Sequence, residues 1–246
     1  MAYCAVMLFD IIATIYCNKS NKFQFKEVMN MIKALAIIGI IGGILCAVAD
    51  LLLDLKGVDN QKLGKMKVID SKWKEMSHGR FVWSDIIAMF AVPMYTCGFV
   101  ALMIQLHKVK AELSIGMTIM FLCGAMGGFM IHTFLCMMPT IYQKITKKAN
   151  YELAEDVIEG IFRQIYVPFF VLYGMLVIFP ALIVMGLIVF EIIALPLWCI
   201  ILNPLVFQLI GFLFRATGLK IFIDAPSCCA ASLGLATYGV LALMLI

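Results

Sequence analysis

Apolar residues along the chain fall into six long runs, with the polar residues gathered between them. The runs cover roughly 34–55, 81–107, 113–140, 163–190, 192–214 and 226–246. A helix needs about 20 such residues to cross a bilayer core about 30 Å thick. Each run therefore predicts a membrane-spanning helix, and the chain reads as an all-α, polytopic integral membrane bundle of six or seven helices. The seventh candidate is 2–17, which is short and carries Asp10. At about 1.5 Å of rise per residue it makes a marginal span, with an interfacial helix as the alternative. It has no basic stretch before it and no small-x-small site after it, so it does not read as a signal peptide. Met29 or Met31 is an alternative original start. Residues 1–33 are expected to form the marginal span and a basic connector, and 34–246 a six-helix core of a single domain.

Breaks and close contacts can be placed within the runs. Pro93, Pro168, Pro180, Pro196 and Pro204 lie inside them, and each removes a backbone hydrogen bond and bends its helix. Asn203-Pro204 is the strongest candidate break. Gly39-x-x-x-Gly43 and Gly124-x-x-x-Gly128 are small-residue faces that let helices approach closely. In the stretch 144–160, Leu153, Val157, Ile158 and Ile161 recur at helical spacing and predict a short amphipathic surface helix. Trp73, Trp83 and Tyr142 fit an aromatic belt at the membrane edge.

Composition supports the membrane reading: 64% of the 246 residues are apolar and 14% are charged. A soluble domain is about 45–50% apolar and about 25% charged. The net charge of +4 matters less than where the cations sit. All 19 Lys and Arg lie between the runs or at their edges. The connections 55–80, 141–163 and 215–225 hold thirteen of them, and 18–33 and 108–112 hold six. Alternate connections face opposite sides, so the positive-inside rule puts the thirteen in the cytoplasm of a cell membrane. The nine cysteines have no C-x-x-C spacing and lie mostly in apolar runs, which fits packing and gives no support to a metal or disulfide scaffold. No basic stripe with interleaved aromatics is present, which argues against a nucleic-acid partner.

Ionisable groups at membrane depth are costly and mark candidate sites. Asp50 and Asp54 are four residues apart and share one helix face. Arg80 and Asp85 open the next run, and His132 lies about two turns from the end of the third. These five predict a polar cluster open to the cytoplasm. Gln164, Tyr166 and Gln208 lie at similar depth and complete the candidate binding set. Three functions fit such a cluster: binding or transport of a small molecule or ion, intramembrane chemistry on a lipid or isoprenoid, and a structural or accessory role. Catalysis would draw on Asp50, Asp85 and His132, but no H-E-x-x-H, G-x-S-x-G, D-D-x-x-D or P-loop is present, so no catalytic residue, metal or cofactor is assigned. The expected surroundings are the lipid bilayer and a small-molecule, ion or lipid ligand, with a homo-oligomer left open.

The segments A-D-L-L-L-D (49–54), W-x-x-M-S-x-x-R (73–80) and P-x-Y-x-x-G (93–98) resemble the pattern of an uncharacterised prokaryotic multi-pass membrane protein family, a domain of unknown function. The resemblance covers the first half of the chain. It implies a helical membrane domain and transfers no activity.

Overall fold

The computed structural model describes residues 22–148 and 150–246, and the candidate span 2–17 lies outside them. The described chain is helical nearly throughout. α1 covers Lys22–Asp54, α2 His78–His107, α3 Ala111–Lys148 and α4 Tyr151–Tyr173. A π turn at Gly174–Ile178 joins α4 to α5, Phe179–Val189. α6 covers Pro204–Ala216 and α7 Ala225–Met244. Among the described residues, five helical stretches are long and apolar enough to cross a membrane: α1, α2, α3, the combined α4–α5 and α7.

The hydropathy runs mark the oily part of each helix and understate its length. α3 has 38 residues, about 57 Å at 1.5 Å each. The backbone ladder continues past the apolar stretch because Lys and Glu are good helix formers in water. The proposed surface helix over 144–160 is therefore absent as a separate element. α3 runs through to Lys148, and Leu153–Ile161 belong to the first turns of α4. Asn150 separates the two, its side chain accepting from the Leu153 N–H at 2.9 Å as the N-cap of α4.

The run 192–214 also differs from a continuous span. Residues 190–203 are irregular, with a short 3₁₀ turn at Leu197–Ile201, and α6 has only 13 residues. Asn203 makes the break. Its side-chain oxygen accepts from the Val206 N–H at 3.0 Å and its amide donates to the Ile200 carbonyl at 2.5 Å. Pro204 then occupies the first helical position, where a missing N–H costs nothing. The segment still joins opposite ends of the bundle. Ile192 and Ile193 bond back to Leu187 at the end of α5, while Arg215 shares a cavity with Lys56 and Asp224 at the other end.

α1, α2 and α7 form the tightest part of the bundle. A methyl group on Gly39 would run into the Gly98 backbone, so only glycine lets α1 and α2 touch there. Phe99 and Phe121 stack 3.9 Å apart at the centre of the larger core, with Tyr238 packed edge-on against both. A second core under the 55–80 connection contains Trp73, Phe81, Tyr142 and Ile158. Trp73 and Tyr142 are thus core residues packed edge to face at 6.0 Å, and of the three aromatics assigned to the belt Trp83 is the exposed one.

The connection between α1 and α2 is folded. It contains a two-residue hairpin, Lys62–Leu63 paired with Ile69–Asp70. Asp70 is its anchor: it pairs with Lys56 at 2.7 Å and Lys62 at 2.8 Å, and accepts from Asn60 at 2.6 Å. Burial alone would push the Asp70 carboxyl up, but these cations and hydrogen bonds outweigh it and hold the carboxyl below its ordinary value. Lys56 is affected in the opposite sense. Burial would lower it, and the charges of Asp54 and Asp70 raise it above its ordinary value. Glu159 of α4 is buried and accepts from the Met66 N–H at 2.8 Å, which ties the hairpin to the bundle.

Candidate functional site

A cavity of about 270 Å³ lies between the α1–α7 pair and the α3–α4 pair. Asp50, Asp54, His132 and Gln208 line it, so four of the eight residues singled out from sequence meet in one place. The walls are mostly apolar, from Val92, Leu172, Leu176 and Leu235 among others, with Tyr95 and Tyr173. That combination of apolar walls and few convergent polar groups is the usual make-up of a small-molecule site.

Local sequence explains the wall shape. Pro180 has no N–H to give to the Leu176 carbonyl, and its ring crowds that turn. The helix widens into the π turn, where Phe179 N–H bonds to the Gly174 carbonyl instead. Leu176 and Val177 of this turn face the cavity. π turns of this kind recur at functional sites.

Asp50 sits about one turn inside the end of α1. Its Oδ2 accepts from the Ser232 hydroxyl of α7 at 2.5 Å, and its Oδ1 is 3.8 Å from His132 Nδ1. Among the described residues, neither a Lys nor an Arg is ion-paired with Asp50. His132 is held from its other side, with Nε2 3.1 Å from the Ser84 hydroxyl oxygen. The Ser84 hydroxyl donates to the Ala49 carbonyl at 2.7 Å.

Carboxylate, imidazole and hydroxyl thus follow one another in the order of a hydrolase relay. The geometry does not fit that chemistry. Ser84 is wholly buried and outside the residues lining the cavity, and its proton is committed to a backbone carbonyl. It serves to orient the ring.

A second cavity of about 230 Å³ adjoins the first toward the 55–80 connection. Asp54, Gln208 and Cys228 line both and form the boundary between them. The second cavity is polar, with Lys56, Lys62, Asp70, Arg215 and Asp224 around it. Asp224 accepts from the Lys56 and Gly57 N–H groups at 2.9 and 2.5 Å, pinning the start of α7 to the end of α1. Gln208 Nε2 donates to the Ser227 carbonyl at 3.0 Å, which fixes the boundary.

The other sequence candidates lie elsewhere. Arg80 does not pair with the carboxylates. Its guanidinium donates to the carbonyls of Leu51, Leu52 and Leu55 at the end of α1, at 2.8–3.3 Å. Asp85 accepts from Thr133 at 2.8 Å and faces a separate cavity of about 240 Å³ with His78, Cys136 and Thr140. Gln164 and Tyr166 are exposed on α4. Ser232 and Ser84 are polar residues of the site that sequence reading missed. Ser232 lies 182 positions from Asp50, and a serine among small residues carries no signal of that distant pairing.

The chain belongs to the family of unknown function DUF6796, whose profile matches residues 20–246. No curated protein and no solved structure matches it.

Proposed function

We propose, since that family carries no activity with it, that the chain is a multi-pass protein of the cell membrane that binds a small molecule in the Asp50 cavity and exchanges it with the cytoplasm. One observation carries this reading: a carboxylate within an apolar helix faces a cavity of about 270 Å³ with, among the described residues, only a hydroxyl and an imidazole as side-chain partners. A buried charge without a counter-charge is expensive, and a ligand that supplies it makes the cost useful. The polar antechamber beyond Asp54 and Gln208 gives the route. Two helix irregularities, the π turn and the Asn203–Pro204 break, flank the site, as broken helices flank the midplane sites of transporters.

The reading requires water-borne solutes to reach the cavity. Ala231 lines it, so an Ala231→Cys variant in lipid nanodiscs should react with a membrane-impermeant, cationic methanethiosulfonate reagent. Modification would be read on the Ala231 peptide by mass spectrometry, with Gln61→Cys on the hairpin as a positive control. A silent Ala231→Cys beside a reactive control would remove the cavity as a binding site.

A further inference from the structure

Asp50 Oδ1 and His132 Nδ1 face each other across 3.8 Å at the cavity wall. The surrounding hydrogen bonds leave a lone pair on both. Ser84 has one hydroxyl proton, and it goes to the Ala49 carbonyl. The contact between Ser84 Oγ and His132 Nε2 is then made by a ring N–H. A neutral imidazole protonated at Nε2 carries its lone pair at Nδ1. The second Asp50 oxygen is already occupied by Ser232. What remains is a pair of acceptors, too far apart to bond each other and close enough for one donor atom, about 2.9 Å from each, to bridge them.

We propose that this acceptor pair recognises a primary ammonium group carried on a small apolar body. The inference rests on the cavity being a binding site and names its ligand class. An ammonium nitrogen has three N–H donors and no acceptor. One can meet the carboxylate and another the imidazole, in charge-assisted hydrogen bonds of the stronger kind. Its charge is the one that Asp50 lacks. The apolar walls formed by Val92, Leu176 and Leu235, with the Tyr95 ring, take the rest of the molecule. An anionic ligand would meet two acceptors, one of them a carboxylate, so the same geometry disfavours it.

The test uses the full chain in lipid nanodiscs at about pH 7, where a primary aliphatic amine is protonated. Three probes of similar size are compared by ligand-induced thermal stabilisation: 2-phenylethylammonium, neutral 2-phenylethanol and the quaternary 2-phenylethyl-trimethylammonium. The primary amine should bind at least about tenfold tighter than either analogue, the worth of one hydrogen bond to a charged group. Asp50→Asn should abolish that preference, and Leu235→Trp, which fills the cavity, should abolish binding of all three. The wild-type comparison decides the matter even if Asp50→Asn does not fold. Equal binding of the primary and quaternary amines overturns donor recognition. Equal binding of amine and alcohol, lost in Leu235→Trp, overturns the ammonium assignment and leaves the cavity as a binding site. If no probe binds, the assignment is overturned as well, while Ala231→Cys reactivity decides separately whether the cavity is reachable.

Discussion

Lys56 is the residue on which the mouth of the site depends. Its ammonium is nearly enclosed and bridges Asp54 at 2.5 Å and Asp70 at 2.7 Å. Lys56→Met would leave buried Asp70 with Lys62 and the Asn60 amide. Removing one partner of a buried pair costs about 3–5 kcal/mol, and the remaining lysine puts this case at the lower end, about 3 kcal/mol. Thermal unfolding in nanodiscs should report the loss; a change under about 0.5 kcal/mol, the scale of an exposed pair, would mean that the pair is open to solvent. The pH dependence follows from the same cluster. Asp70 is held below its ordinary value, so its contribution is complete above about pH 3.9, its unfolded value, and is lost as pH falls through the folded one. Lys56 is held above its ordinary value, so its contribution is complete below about pH 10.4 and is lost as pH rises through the folded one. Amide exchange across the hairpin should therefore be slowest between about pH 4 and pH 10 after correction for intrinsic rates, and Lys56→Met should remove the alkaline limb. Asp50 was legible at this scale because a carboxylate one turn inside an apolar run is conspicuous. Its partner Ser232 was not, because pairing across 182 positions leaves no local pattern.

Among the elements, the break before α6 is the most consequential. Asn203 is buried and satisfies a donor and an acceptor on either side of the break, the Val206 N–H and the Ile200 carbonyl. Asn203→Ala would leave the Val206 N–H and the Ile200 carbonyl unpaired. Loss of an N-cap costs about 1 kcal/mol, and an unsatisfied buried polar group about 1–3 kcal/mol. The expected loss is about 2–3 kcal/mol in thermal unfolding, with Asn203→Asp intermediate because it keeps the accepting oxygen and loses the donor. If Asp and Ala variants behave alike, the cap is not what holds the break. Asn-Pro dipeptides are readable punctuation, so this break could be located from sequence. The π turn could not. Pro180 signals a disturbed ladder, but whether the helix kinks or widens depends on the neighbours packed against it, here Gly124 and Gly128 of α3 against Leu176. The helix ends were misplaced for a related reason: hydropathy reports where the solvent is oil, and the backbone ladder carries on into water.

At the scale of the whole molecule, the packing gathers the basic connections at one end. Gln143 donates to the carbonyls of Trp73 and Met76, Met66 bonds to Glu159, and Asp224 holds the N–H groups of Lys56 and Gly57. Residues 55–80, the α3–α4 junction and the start of α7 are therefore neighbours, and the connections 55–80, 141–163 and 215–225 that meet there carry the thirteen basic residues counted from sequence. The mouth of the polar antechamber lies at this same end, beside Lys62 and Arg215. On the proposed function, orientation decides from which side a ligand enters, and the positive-inside rule predicts that this side is the cytoplasmic one. Cysteines at Gln61 and at Lys110, in the turn between α2 and α3 at the opposite end, provide the measurement. A membrane-impermeant maleimide applied to intact cells should label Lys110→Cys and spare Gln61→Cys, with labelling at Gln61→Cys appearing only after lysis. The reverse pattern would turn the antechamber to the outside and make the cavity a site for solutes arriving from there. The geometry at Asp50 and His132 would be unaffected, because the charges that choose the orientation lie in the connections and the groups proposed to choose the ligand lie in the cavity.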